Sequence, residues 1–147
     1  MKKIIKLFRP ILIFGMRSLW YITRPKTSGA KVIVTYKDEI LLIKTTYGYN
    51  YSLPGGGIKK NEDPKIAAKR EVLEEVGIKL DDVMSLPSFV CYEEYKEDTV
   101  YSFYSAVTTK DYTLDAFEID CAEWHSIHNL PNVGPVTSKI IELYRNR

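Results

Sequence analysis

The 147 residues, 45% of them hydrophobic and 12% aromatic, suit a single folded domain with a proper core. Two cysteines, Cys91 and Cys121, stand 30 apart with no CxxC pair, which argues against a disulfide framework or a structural zinc site and leaves reduced, buried thiols. The net charge of +2 hides an uneven split: residues 1–37 carry +9 and the remainder −7, the mark of an appended element with its own partner.

Residues 1–24 alternate apolar runs (Ile11 to Phe14, Leu19 to Ile22) with Lys2, Lys3, Lys6, Arg9, Arg17 and Arg24. No window offers 18 uncharged apolar residues for a membrane span, and no A-x-A-like site marks a cleaved signal, so a cytoplasmic protein is expected. A basic stretch rich in Leu, Ile, Phe and Trp can lie on an anionic bilayer surface, or pack on its own domain or on a second copy in a homodimer. Nucleic acid is disfavoured, because no stacking groove or recognition motif accompanies the charge.

A linker-like break at residues 24–29 divides this extension, 1–27, from a domain at 28–147. Lys31 to Tyr36 reads as a strand, Lys37 to Glu39 as a hairpin turn and Ile40 to Lys44 as the returning strand. Tyr47 to Tyr51 forms a loop that leads into glycine-rich Pro54-Gly55-Gly56-Gly57. Beyond the helix described next, Val83 to Glu94 and Thr99 to Thr108 read as strands around a charged tip, and Glu118 to Trp124 as another. Val136 to Tyr144 reads as a C-terminal helix that packs through Ile140, Ile141 and Tyr144. Strands, helix, strands, helix is an α+β order. His125 and His128 have no second cluster to complete a metal site and are assigned structural or surface roles.

The chemistry concentrates in residues 56–78. Asp63 followed by Pro64 is a helix start, with an acceptor side chain at the N-cap and proline at the first helical position; Gly77 is suited to end it. At about 100° per residue, Ile66, Lys69, Val72, Leu73 and Val76 share one side, the expected core face, and Glu71, Glu74 and Glu75 share the other. Like charges so placed repel, and a hard divalent cation would convert that repulsion into binding. Arg70 can clamp a carboxylate in bidentate fashion, with Glu62 as the natural partner. The glycine turn brings backbone close without a Cβ in the way, and a Gly55 or Gly56 carbonyl is a suitable hard-metal ligand.

The run Gly56, Glu62, Arg70-Glu71-Val72, Glu74-Glu75, Gly77-Ile78 resembles the signature of the Nudix hydrolases at every fixed position. The flanks at Ala30 to Lys44, Leu53 to Gly56 and Ala122 to Trp124 extend the likeness over roughly residues 28–145. The resemblance implies an α/β/α sandwich with a mixed sheet. It implies hydrolysis of a nucleoside diphosphate linked to another moiety, by water attack on phosphorus assisted by Mg²⁺ or Mn²⁺. It implies Glu71, Glu74 and Glu75 as metal ligands, one of them or a later carboxylate as base, and Glu62 and Arg70 as orienters of the helix. Among later carboxylates Glu118 is best placed, with Glu93, Glu94 and Glu97 as competitors. Tyr51 stands where relatives carry a tryptophan, to stack on a base or to pack. Tyr95 stands near a tyrosine of relatives acting on dinucleoside polyphosphates. Pro87 is too close to the motif to match the family's ADP-ribose proline. The competing expectation is a Nudix-fold nucleotide-binding or regulatory module docked through its N-terminus.

Overall fold

The computed structural model describes residues 23, 25–46, 48–93, 96–114 and 117–147. The basic, apolar stretch 1–24 therefore lies, apart from Thr23, outside the described residues, as do Glu94 and Tyr95. Among the described residues no helix is long and apolar enough to cross a membrane.

The chain builds β1 (Lys26–Tyr36), β2 (Glu39–Thr45), α1 (Pro64–Val76), β3 (Met84–Ser85), β4 (Phe89–Glu93), β5 (Lys96–Ala106), β6 (Ile119–Ser126) and α2 (Pro135–Arg145). The sheet runs β3-β5-β1-β2-β6, with β4 also paired to β5. β1 and β5 are parallel and the other pairs antiparallel, so the sheet is mixed. Alternation along the strands separates two cores. Ala30, Val32, Val34, Leu41 and Ile43 pack with Ala67, Ala68, Val72 and Val76 of α1 on one face. Ile33, Ile40 and Leu42 pack with Leu53 and with Ile140 and Ile141 of α2 on the other. This is the expected α/β/α sandwich.

β1 begins at Lys26, inside the stretch expected to be a linker. Its first residues pair with β5, Lys26 opposite Glu97 and Ser28 opposite Thr99, and so many distant partners leave no local signal. The β1–β2 hairpin turns at Lys37, which adopts a positive φ of 53°. Its strands are in register only at Thr35–Ile40 and Tyr36–Glu39. They then splay, and residues 52–58 wedge between them. Ala30 N–H donates to the Gly56 carbonyl (2.9 Å), Val32 N–H to Pro54 (3.0 Å) and Ile58 N–H to Ser28 (3.0 Å), while Ser52 and Ile43 exchange two bonds of 2.8 Å. Leu53 N–H donates to Thr137 Oγ1 of α2 at 3.3 Å. The glycine turn is thus seated in the middle of the sheet.

α1 starts as its sequence dictates. The Asp63 carboxylate accepts from Lys65 N–H (2.8 Å) and Ile66 N–H (3.3 Å), and Pro64 occupies the first turn. Gly77, at φ 66°, closes it by donating to the Leu73 carbonyl. The buried face differs from the expected one. Ile66 and Leu73 are 61% and 50% exposed, whereas Glu75 is buried at 6%. The face is centred on Ala67, Ala68, Val72, Glu75 and Val76. Two alanines let the helix lie close to the sheet, and the glycine turn beneath supplies a donor for a carboxylate, which outweighs the aliphatic preference of Ile66 and Leu73.

Candidate active site

The site forms where α1 crosses the glycine turn. Gly55 adopts φ 133°, and a Cβ there would lie 2.1 Å from the Ala30 carbonyl oxygen, so only glycine fits against β1. Its N–H donates to Glu75 Oε2 at 2.7 Å. A Cβ on Gly56 would lie 2.5 Å from Glu71 Oε2, so the absence of a side chain lets the Glu71 carboxylate rest on the turn.

Arg70 holds the assembly from outside. Its Nε and Nη2 donate to the two oxygens of Glu62 at 2.7 and 2.8 Å, the bidentate pairing expected from the sequence. Nη2 also reaches the Gly57 carbonyl (3.0 Å), and Nη1 reaches Glu71 (2.5 Å) and Glu74 (3.2 Å). Glu62 in turn accepts from Lys59 N–H at 2.8 Å. One guanidinium therefore ties the loop, the turn and two glutamates of α1 together. The Arg70 hydrogen bonds and the Lys59 N–H hold the Glu62 carboxyl down at about 2, and the same carboxylates push Arg70 above its ordinary value.

Glu75 is pushed the other way. Burial raises its carboxyl to about 7, with the Glu71 and Glu118 charges adding to the rise; Lys31 and the Gly55 N–H oppose it. Because the folded state binds this proton more tightly than the unfolded chain, the stability Glu75 contributes is full below about 4.5 and is lost as pH rises through about 7. In EDTA, the protein is expected to lose about 3 kcal/mol across that window. The Glu62 effect lies below it, since a depressed carboxyl loses its contribution as pH falls from 4.5 toward 2. Urea midpoints measured in EDTA from pH 4.5 to 7.5 should fall for the wild type and stay flat for Glu75→Gln. A wild-type midpoint that stays flat or rises would remove this assignment.

Glu118, exposed just before β6, carries its charge to the cluster, and its carbonyl is fixed by Thr46 N–H at 2.9 Å. Glu97 instead pairs with Lys26 at 3.4 Å, and Glu93 ends β4. Tyr51 sits on the α2 side of the sheet. Its hydroxyl donates to Glu123 Oε2 at 2.9 Å, its ring meets His125 edge-on at 5.4 Å, and the Glu123 bond raises it to about 12. Tyr95 and Glu94 lie outside the described residues. Cys91 and Cys121 are half-buried rather than buried, and Cys91 Sγ lies 3.6 Å from the Asp98 carbonyl.

Lys31 was not foreseen. It interrupts the apolar run of β1 and sends its ammonium into the turn, to the carbonyls of Leu53 (3.1 Å) and Gly55 (2.5 Å). Burial lowers it from its ordinary value, against the opposing pull of Glu75, Glu71 and Asp98. A lone lysine between Ala30 and Val32 was the one available signal. Among the described residues no three acidic, histidine or cysteine side chains converge on one point. Glu71 and Glu74 lean on Arg70, whereas Glu75 accepts from Gly55.

Known proteins resemble this chain in sequence and fold. The sequence profile of the NUDIX domain matches residues 25–146. An NAD-capped RNA hydrolase, NudC, of Pseudomonas putida (strain GB-1) is 28% identical over 118 residues, which cover 77% of this chain and 42% of that protein. The chain thus spans under half the length of the Pseudomonas relative. Diphosphoinositol polyphosphate phosphohydrolase 3-alpha of Mus musculus is 31% identical over 116 residues, 72% of this chain and 68% of that one. The crystal structure of a MutT NUDIX hydrolase from Burkholderia pseudomallei superposes with a TM-score of 0.75 at 20% identity, covering 81% of this chain and 98% of that one, a likeness of fold. Profile, relatives and fold agree with the motif that α1 and the glycine turn carry, and the chain belongs to the NUDIX domain family.

Proposed function

We propose that the protein is a divalent-metal-dependent hydrolase that cleaves a phosphoanhydride bond in a nucleoside diphosphate linked to another group. The observation that carries this is the placement of Glu71 and Glu75 on a glycine turn, locked there by Gly55 N–H and by the Arg70–Glu62 pair. The donor set fits Mg²⁺ or Mn²⁺: it is all oxygen, from Glu71, Glu74, Glu75 and the Gly55 or Gly56 carbonyl, and it includes a buried carboxylate whose ionised form needs a cation. When bound there, the metal supplies neutralisation of phosphate charge and a more acidic water. The chain's own part is positioning. Arg70 keeps Glu71 and Glu74 on one side of α1, Glu62 keeps Arg70 in one pose, and the seated turn keeps its backbone beside the carboxylates. Glu75, bonded to the Gly55 N–H, and exposed Glu118 beside the cluster are the candidates for the base.

The identity of the group beyond the diphosphate rests with loops outside the motif. Product analysis with Mg²⁺ over nucleoside triphosphates, nucleotide sugars, ADP-ribose, dinucleoside polyphosphates, NAD-capped RNA and a diphosphoinositol polyphosphate tests the proposal. At least one nucleotide member is expected to yield a nucleoside phosphate. Tight binding of a nucleotide with no turnover of any member would favour a binding or regulatory module instead.

A further inference from the structure

Lys31 carries out a task that neither the motif nor the strand explains. The four carbonyls of residues 53–56 all accept hydrogen bonds from residues of β1. Those of Pro54 and Gly56 accept the backbone N–H groups of Val32 and Ala30, at 3.0 and 2.9 Å. The alternate pair, Leu53 and Gly55, both accept from the Lys31 ammonium, at 3.1 and 2.5 Å. An aliphatic residue at this position, as at Val32 and Ile33, would leave both carbonyls without that donor. The ammonium also lies in the field of Glu75 and Glu71. Lysine and a hard divalent cation seek the same partners, carbonyl and carboxylate oxygens, and Gly55 supplies both a carbonyl to Lys31 and an N–H to Glu75.

We propose that Lys31 is a positioning residue whose built-in positive charge holds the Gly55 carbonyl and competes with a divalent cation for it, and so sets the metal requirement of the site. The proposal rests on reading the turn and Glu71, Glu74 and Glu75 as metal ligands. It does not need Lys31 to change protonation, since a fixed charge is enough: besides Arg70 on Glu71 and Glu74, a cation entering this cluster meets the Lys31 ammonium and must displace it from the Gly55 carbonyl oxygen. The lysine thus keeps the turn and carboxylates assembled before metal arrives, at the expense of metal affinity.

The test is Mn²⁺ binding by calorimetry on the full chain without nucleotide, for wild type and Lys31→Met, a neutral side chain of similar length. Lys31→Met is expected to bind Mn²⁺ about tenfold more tightly, since one neighbouring repulsion is gone. Equal or weaker binding by a folded Lys31→Met overturns the proposal while leaving the metal site intact. Absence of Mn²⁺ binding in both proteins overturns the metal site and this proposal together. Should Lys31→Met fail to fold, the Lys31 Cε NMR signal of the wild type decides. It is expected to shift saturably with Mg²⁺, at the concentration that shifts the Gly55 amide. A Cε signal that stays still while the Gly55 amide saturates overturns the proposal.

Discussion

Glu74→Gln is expected to lower turnover about a thousandfold, the loss that follows when several kcal/mol of charge stabilisation at phosphorus is withdrawn. Its effect on folding should be small. The Glu74 side chain is 55% exposed, and its contact in the site is the 3.2 Å pair with Arg70 one turn back. An exposed pair of this kind contributes roughly 0.5 kcal/mol or less. Glu74 therefore separates chemistry from stability better than Glu75, whose buried carboxylate also holds the turn. Turnover of Glu74→Gln within about threefold of wild type, with an unchanged urea midpoint, would remove Glu74 from the machinery.

Gly55→Ala should act through the fold. The added Cβ would meet the Ala30 carbonyl oxygen at 2.1 Å and Lys31 Cα at 2.9 Å, on a backbone at φ 133° that L side chains avoid. Strain and overpacking together are expected to cost about 3 kcal/mol or more, and activity should vanish with the turn. Gly57→Ala is the matched control. Nothing lies within 4 Å of a Cβ at Gly57, two residues along the same segment. Denaturant unfolding of the two variants checks the contrast, and a Gly55→Ala protein as stable as Gly57→Ala would show that the turn is not seated as described.

The features legible in the sequence are those with local causes. Asp63-Pro64 and Gly77 bracket α1 because capping is decided within a few residues. The Arg70–Glu62 pairing could be foreseen because both side chains lie on or beside one helix and their chemistry is complementary. What the sequence concealed is tertiary. The aliphatic residues Ile66 and Leu73 argue for a core face that the structure leaves exposed. Glu75 is buried instead, since the turn beneath offers it an N–H and a neighbouring ammonium. The splaying of β1 from β2 follows from the insertion of residues 52–58, a segment that carries little strand signal of its own. The extension of β1 back to Lys26 depends on β5, some 70 residues away. Lys31 depends on all of these at once: its role is set by a turn that reaches it only when the hairpin opens.

The central claim, that the α1 carboxylates and the glycine turn form a metal-dependent hydrolytic site, is tested most directly by hydrolysis in ¹⁸O-labelled water, with Mg²⁺ and then with EDTA, on a nucleoside diphosphate derivative. Turnover that requires Mg²⁺, stops with EDTA and places the label on a phosphorus of the product is the predicted result. Turnover undiminished by EDTA, or label found only on carbon, would contradict it.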